Sequence, residues 1–187
     1  MSPITHFLIG WVLATNGTDH QQQQTRRERG IITIAGVLPD VDGLGVIVDY
    51  VLQDKDLTLW SKYHHVLTHN LSFGLIVTLF SFWLLGWQWR PALLVLGSIH
   101  LHLLGDLVGS RSPDGYQWPI PYLYPFSSDW EWAWQGQWAL NAWPNFVVTA
   151  IVLGITFHLA WRRGYSPVEM ISTAADARLV ATLRHRF

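Results

Sequence analysis

Long apolar stretches that lack any charged residue dominate the pattern of this chain. Residues 63–89 and 132–161 contain no Asp, Glu, Lys or Arg, and shorter charge-free stretches cover residues 1–18 and 91–105. A helix that spans the hydrocarbon core of a bilayer needs about 20 mainly apolar residues. The pattern therefore predicts an all-α, membrane-embedded helical bundle, with a soluble helical domain around a large buried core as the alternative.

About five helices are predicted from the apolar segments and from the prolines and polar residues that interrupt them. Pro91 and Pro144 suit first helical turns, and Pro39 stops the second helix because the residue before a proline disfavours the helical conformation. We expect the first two helices to be too short to span a bilayer alone. The five helices cover approximately residues 3–15, 30–38, 67–87, 91–108 and 144–162, and a further short helix is possible near residues 44–52.

A long loop and a tail complete the predicted organisation. Residues 109–143 are rich in proline and in Trp and Tyr, which favour the membrane–water boundary. Trp residues at every second position from Trp130 to Trp134 suggest a strand-like stretch within this loop. The chain thus divides into a membrane-associated domain, residues 1–163, and a tail, residues 164–187, that is predicted to form an amphipathic helix from about Pro167.

Composition narrows the classes of function. Charged residues make up only 13% of the chain, about half the usual share of about 25%. Lys and Arg total 12 against 13 Asp and Glu, so there is no basic surplus to bind nucleic acid. Cysteine is absent, which excludes disulfides, cysteine-ligated zinc and thiol catalysis. Membrane lipids are the expected partners, and a homo-oligomer is possible.

Basic and acidic residues separate when the predicted helices are threaded through a bilayer. The only basic residues on one side are Lys55, Lys62 and Arg111. The same side carries most of the carboxylates. Because basic residues favour the cytoplasm in short loops, we expect an integral protein of the cytoplasmic membrane with its acidic side extracytoplasmic. The cytoplasmic side would carry Arg26, Arg27, Arg29, Arg90, Arg162, Arg163, Arg178, Arg184 and Arg186.

Histidine and aspartate side chains from four segments fall on the acidic side. His102 and Asp106 lie four residues apart on one face of a lipid-compatible helix, where ionisable groups are costly and usually functional. Each segment alone has a structural explanation, such as a His–Asp hydrogen bond or an Asp-rich turn. One cation site explains all four together. The other three segments contribute His6, the pair Asp40 and Asp42, and the trio His64, His65 and His69.

A divalent cation is the expected cofactor. Imidazole and carboxylate groups suit Zn²⁺ best, with Mn²⁺ or Fe²⁺ as alternatives, and one or two ions fit the number of side chains. The spacing leaves open whether His64 or His65 acts together with His69. The expected metal ligands are His6, Asp40, Asp42, His64, His69, His102 and Asp106.

The order of these motifs resembles the YdjM-like family of LexA-binding, inner-membrane-associated, metal-dependent hydrolases. The third motif departs from the family's His-Arg-Gly-x-Thr-His-Ser and reads His-His-Val-Leu-Thr-His-Asn here. Over roughly residues 1–160, the resemblance implies a helical, membrane-associated hydrolase with a divalent metal. The matching motifs are Thr5-His6, Leu38-Pro-Asp-Val-Asp42, His64 with Thr68-His69, and His102-x3-Asp106 followed by a Gly- and Pro-rich loop.

We therefore expect metal-assisted hydrolysis of a lipid or lipid-linked ester or phosphoester by an activated water. Asp40, His65 and Asp114 are candidate catalytic residues for bridging ions or transferring protons, and Arg111 is a candidate for binding a substrate phosphate. Two alternatives remain. The metal could be structural, in a non-catalytic membrane scaffold, or the protein could be a metal transporter or sensor.

Overall fold

The computed structural model describes residues 1–16, 24–112 and 115–187. Two 3-10 helices, Leu38–Leu44 and Pro167–Met170, and one antiparallel pair of short strands, β1 (Ile120–Pro121) and β2 (Glu131–Trp132), accompany the α-helices. The described residues form eight α-helices: α1 (Pro3–Asn16), α2 (Arg26–Ala35), α3 (Gly45–Val51), α4 (Thr58–Tyr63), α5 (Leu71–Leu84), α6 (Trp89–Gly109), α7 (Trp143–Arg163) and α8 (Thr173–Arg186).

The all-α class is confirmed, but the predicted number of about five helices is too low. The second predicted helix ends earlier, at Ala35, and the chain continues through the 3-10 helix that contains Pro39. The short α4 has no apolar period of its own. Its first turn is held by Asp49, whose carboxylate accepts hydrogen bonds from the backbone N–H groups of Leu59 and Trp60. Local helix breaks and capping hydrogen bonds of this kind produce more, shorter helices than the hydropathy pattern predicts.

Two helices are long and apolar enough to cross a bilayer, namely α6 and α7. A third crossing is possible if α2 and the segment Leu38–Val51, which meet at a bend of 47°, form one broken span. The predicted helix over residues 67–87 is shortened to the 14 residues of α5. At 1.5 Å per residue it is about 21 Å long, less than the hydrocarbon core of about 30 Å.

Close packing of α1, α2 and α6 forms the core around Ala14, Ile32, Ala35, Val95 and Ile99. Glycines make this approach possible. A Cβ atom at Gly10 would lie 3.0 Å from both Ser98 Oγ and Thr33 O, and one at Gly36 would lie 2.8 Å from Ser98 Oγ. The backbones of α1 and α2 therefore come close together near His6, since a Cβ atom at Gly36 would lie 3.0 Å from the His6 carbonyl.

The long loop is attached to the end of α6 by polar side chains. Asn145, near the start of α7, donates hydrogen bonds to the carbonyls of Gly109 and Leu140. Gln137 donates to the carbonyl of Asp106 and to Ser110. The strand-like stretch predicted around Trp132 is present as β2. These bonds fix the loop over the end of α6 that carries Asp106.

The C-terminal tail packs on the helices instead of extending from them. Arg29 of α2 forms a bidentate ion pair with Glu169, with both N–O distances 2.6 Å, and its guanidinium stacks 3.7 Å from the Tyr165 ring centre. Both charged side chains are buried. Helix α8 packs on α7 and buries Asp176 and Val180. The tail is thus held to α2 and α7.

Candidate metal centre

Helix α6 supplies two groups of the centre, as its spacing predicts. His102 and Asp106 lie one turn apart and are almost fully buried, and His102 Nε2 is 3.0 Å from Asp106 Oδ2. The other ring nitrogen, His102 Nδ1, donates a hydrogen bond of 2.8 Å to the carbonyl of Gly36. Because a carbonyl can only accept, this bond places the ring proton on Nδ1 and leaves Nε2 facing Asp106.

The loop before α5 supplies the third group. Asn70 caps α5 by accepting a hydrogen bond from the N–H of Phe73, and its side-chain amide donates to the carbonyls of Val66 and Leu67. These bonds order the loop and bury His69 completely. His69 Nε2 then lies 3.1 Å from His102 Nε2 and 3.4 Å from Asp106 Oδ2.

The 3-10 helix after Pro39 supplies the fourth group, Asp40. Its Oδ1 atom lies 3.8 Å from His102 Nε2, and its side chain is 21% exposed. With Asp40, one ligand atom from each of His69, His102 and Asp106 forms a set in which all atoms lie within 4.8 Å of one another. These four residues, here called the metal cluster, could hold a metal ion.

The chemistry of the metal cluster fits a cation because acceptor atoms converge there. His69 Nδ1 donates to Asp42, as His102 Nδ1 donates to Gly36, so both neutral rings would present unprotonated Nε2 atoms to each other. Two carboxylates lie beside them, and Asp106 Oδ2 has no hydrogen-bond partner among the described residues. Converging acceptors in a buried site repel one another unless a proton or a metal ion lies between them. Nitrogen and oxygen donors of this kind suit Zn²⁺ and related ions.

The raised pKa of His69 also indicates that the metal cluster stabilises a positive charge. Burial alone would lower the pKa of His69, but the neighbouring carboxylates of Asp106 and Asp42 outweigh burial and raise this pKa to about 9. The two carboxylates therefore favour a cationic imidazole between them. A bound divalent cation would supply this charge in place of the proton.

Asp42 and His64 lie behind the metal cluster and not within it. Asp42 Oδ2 accepts a hydrogen bond from His69 Nδ1 at 3.0 Å, and Asp42 Oδ1 lies 2.9 Å from His64 Nδ1. The backbone N–H of Thr68 also donates to Asp42. A carboxylate that accepts from the outer nitrogen of a ligating histidine is the usual support of such a ligand in metal sites.

His6 contacts the metal cluster through Asp106. Its Nε2 atom lies 3.1 Å from Asp106 Oδ1, and its ring stacks on that of His102 with centres 3.8 Å apart. Its Nδ1 atom is buried and has no partner among the described residues. The amino group of Met1 also contacts Asp106 Oδ1. His6 is therefore adjacent to the four cluster residues.

His65 faces the metal cluster from the loop before α5. Its Nε2 atom lies 3.9 Å from Asp106 Oδ2, and its Nδ1 atom has no partner among the described residues. Its φ of +67° is rare for a residue other than glycine. Burial, and then the neighbouring His69, lower the pKa of His65 well below its usual value. The ring is thus neutral at physiological pH.

A cleft of about 350 Å³ opens onto the metal cluster. Asp40 and Asp106 of the metal cluster line it, together with His65. The remaining wall is largely apolar or aromatic and includes Pro3, Leu44, Trp60, Trp118 and Leu140. A substrate with an apolar part could therefore reach the cluster.

Arg111, the predicted phosphate-binding residue, does not contact the metal cluster in any described interaction. Arg111 donates a hydrogen bond of 2.7 Å to the carbonyl of Gln135 and pairs with Ala139 through its backbone, and it is not part of the cleft wall. Asp114 lies outside the residues that the structure describes. Sequence reasoning missed Asp49 and Trp118. Sequence reasoning also missed the capping role of Asn70, which the N-cap signal of an asparagine before an apolar run could have revealed.

The family model described as "YdjM inner membrane protein" matches residues 1–184, which is nearly the whole chain. No curated protein and no solved structure matches the chain.

Proposed function

The chain belongs to the YdjM inner membrane protein family, and from this premise we propose that it is a membrane-bound, metal-dependent hydrolase of a lipid or lipid-linked ester or phosphoester. The observation that carries the proposal is the convergence of His69, His102, Asp106 and Asp40, of which Asp40 and Asp106 line a cleft. Two helices that could span a membrane agree with the location that the family name gives.

The metal cluster is the proposed site of one divalent ion, with Zn²⁺ as the first candidate and Mn²⁺ or Fe²⁺ as alternatives. His69 and His102 would bind it through Nε2, and Asp106 and Asp40 through carboxylate oxygens. Such an ion lowers the pKa of a bound water towards about 7 and polarises a phosphoryl or acyl oxygen. A second ion would need further ligands, of which His6, His64 and Asp42 are the nearest candidates.

Residues around the metal cluster would position ligands and move protons. Asp42 orients His69 by accepting a hydrogen bond from its Nδ1–H, and the Gly36 carbonyl accepts one from His102 Nδ1–H. His65 is neutral, lines the cleft and has a free ring nitrogen, so it is the proposed proton acceptor. Asp40 Oδ2 also lacks a hydrogen-bond partner among the described residues and could share this role.

The apolar wall of the cleft supports a lipid-like substrate. Leu44 and Leu140, which line the cleft, are 53% and 48% exposed. The neighbouring segment after Leu44 exposes further apolar side chains, including Ile47, Val51 and Leu52. Exposed apolar surface of this extent usually marks contact with a membrane or an apolar ligand. We propose that this end of the protein lies at the extracytoplasmic face of the membrane.

Metal content and turnover test the proposal together. The protein would be purified in detergent, loaded separately with Zn²⁺ and Mn²⁺, desalted and analysed for bound metal. It would then be assayed with chromogenic carboxylic ester and phosphodiester substrates in mixed micelles. We expect bound metal and metal-dependent turnover in the wild type, and loss of both in His102→Ala and Asp106→Ala.

Matched controls separate the cluster from general effects of removing polar groups. His158→Ala removes an exposed histidine of α7, and Asp129→Ala removes an exposed carboxylate of the loop. Both should keep metal and turnover. A wild-type protein that binds neither metal after loading contradicts the metal centre. Bound metal without turnover of either substrate class, with unfolding on chelation, would identify a structural metal in a scaffold instead.

A further inference from the structure

A groove with a basic end lies along α2 and shares no lining residue with the metal cluster. It has a volume of about 400 Å³ and lies between α2 and the 3-10 helix Pro167–Met170. The groove begins at the N-terminal end of α2, whereas Gly36, which contacts His102, follows the opposite end of the same helix. Its lining residues are Arg26, Arg27, Gly30, Ile31, Ile34 and Met170.

The two arginines at this end have hydrogen-bonding capacity to spare. Arg26 donates to the carbonyl of Met170 at 3.5 Å, and Arg27 donates to the carbonyl of Leu84 at 2.9 Å. Each contact uses one Nη2 atom, whereas a guanidinium carries five N–H donors. Both side chains are exposed, so the remaining donors can reach an external acceptor.

No carboxylate of the described residues neutralises these two charges. None of the groove-lining residues is acidic. Glu28 lies next to the pair in sequence, but its carboxylate accepts from the backbone N–H of Thr25 in the capping box of α2. Glu169 precedes Met170 in sequence, and both of its carboxylate oxygens accept hydrogen bonds from Arg29. The groove therefore presents two positive charges that are complementary to an anion.

The rest of the groove is apolar and open. Ile34 is 50% exposed, and Ile31 and Met170 are half-buried. Gly30 leaves the groove open, because a Cβ atom there would meet only Met170 Cε at 4.0 Å. Helix α2 is half of the broken segment that could cross a membrane. The isoleucines thus lie further along the possible crossing than the arginines.

We propose that this groove binds one anionic phospholipid of the surrounding leaflet. Its phosphate would lie on Arg26 and Arg27, where planar guanidinium groups suit bidentate contact. One acyl chain would follow Ile31, Ile34 and Met170. Free phosphate would use the arginines but not the apolar floor, and a protein partner needs a contact surface of about 1,000 Å² or more. A lipid uses both parts of the groove, and the site is independent of the metal cluster.

Lipid binding can be measured by native mass spectrometry of the purified protein in detergent. Phosphatidylglycerol is the anionic probe and phosphatidylcholine of the same acyl composition is the zwitterionic one. We expect a one-to-one adduct with phosphatidylglycerol and a rise in the midpoint of thermal unfolding. The double variant Arg26→Gln/Arg27→Gln should bind phosphatidylglycerol roughly thirtyfold more weakly, since each basic residue near an anionic lipid surface contributes a factor of about five.

Two further variants keep the test decisive. Gly30→Leu fills the groove while both arginines remain, and it should also abolish the adduct. Arg178→Gln/Arg186→Gln removes the same charge from two exposed arginines of α8 that do not line the groove, and it should bind like the wild type. Metal content should be unchanged in all three, so failure here is distinct from failure of the metal centre.

Several results would overturn the lipid site. Equal retention of phosphatidylcholine, or equal losses in the α8 control and in Arg26→Gln/Arg27→Gln, would show unspecific attraction. Displacement of the lipid by inorganic phosphate at equal concentration would show a simple anion site. A dimer that Gly30→Leu dissociates would show that a second copy fills the groove.

Discussion

The imidazoles of His69 and His102 use their two nitrogens for different purposes. Each Nδ1 donates outward, to Asp42 in one case and to the Gly36 carbonyl in the other, and each Nε2 faces the metal cluster. Ring orientation and tautomer are therefore fixed by groups that do not belong to the cluster. Fixed rings lose less conformational freedom when they bind an ion, which favours a defined geometry.

The first prediction concerns Asp42, which supports His69 from behind. Asp42→Asn keeps the size of the side chain but removes the charge that stabilises the Nδ1 proton of His69. Loss of such a supporting group typically lowers metal affinity by about 10- to 100-fold. Competition with a chromogenic chelator would measure this affinity for Zn²⁺.

The exposed carboxylate Asp129 provides the control for Asp42. Asp129→Asn should leave the affinity for Zn²⁺ unchanged. If Asp42→Asn binds Zn²⁺ as tightly as the wild type, the supporting role of Asp42 is wrong.

Residue types and spacing predict which segments of the chain meet at the metal cluster. His102 and Asp106 follow directly from helical spacing. Asp42 and His64 were expected as ligands together with Asp40 and His69, because sequence order cannot tell which oxygen or nitrogen faces inward. That distinction depends on the loop between α4 and α5, whose path is set by Asn70 and by the left-handed conformation of His65.

At the scale of elements, glycine determines how closely the helices that carry the site approach. Gly36 lies where α2 ends against α6, and Gly10 faces the same serine, Ser98. Larger residues would separate α1, α2 and α6 and move the Gly36 carbonyl away from His102. Hydropathy predicts apolar helices here but contains no information about this distance.

A second prediction follows for Gly36→Ala. Its methyl group would lie 2.8 Å from Ser98 Oγ and 3.0 Å from the His6 carbonyl, so the helices must shift. Overpacking of this kind typically costs about 1–3 kcal/mol. We expect a lower midpoint of thermal unfolding in detergent and weaker binding of Zn²⁺.

Gly154→Ala is the matched control within α7, because a Cβ atom there meets nothing within 4 Å. Alanine is the better helix former by about 1 kcal/mol, so this variant should be as stable as the wild type or slightly more stable. Equal unfolding midpoints for Gly36→Ala and Gly154→Ala would contradict the role of the close helix approach.

The longer helices were predicted most accurately. Helices α1, α6 and α7 begin and end within two residues of their predicted limits, since long apolar periods and proline at the first turn define them. The predicted helix boundaries were wrong where local hydrogen bonds determine the start of a helix. This is the case for α4, which was not predicted, and for α5, which begins later than predicted. There, capping by Asp49 and Asn70 overrides the apolar pattern.

At the scale of the whole molecule, the predicted path of the chain through the membrane separates most acidic residues from most basic ones. The metal cluster and most of the acidic residues would lie towards one side of the membrane, and the arginines of α2 and α8 towards the other. The positive-inside rule assigns the arginine side to the cytoplasm. This predicted orientation rests on basic residues from several segments, and no single helix determines it.

The absence of cysteine allows a direct test of this orientation. Ser128→Cys lies in the exposed loop after β1, and Ala177→Cys lies on the exposed face of α8. A membrane-impermeant maleimide added to intact spheroplasts should label Ser128→Cys and not Ala177→Cys. Lysed cells serve as the control, in which both should react. The reverse pattern in intact spheroplasts would show that the orientation is inverted.

The bidentate bond between Arg29 and Glu169 has a consequence for how this protein can be shortened. An engineered chain that stops at the end of α7 would lose Glu169 and Tyr165 and would enclose the Arg29 guanidinium without a counter-ion. Stranding one partner of a buried pair typically costs about 3–5 kcal/mol, a large share of the stability of a small domain. The segment that carries Tyr165 and Glu169 therefore belongs to the minimal folding unit, and trimming experiments should remove only residues that follow it.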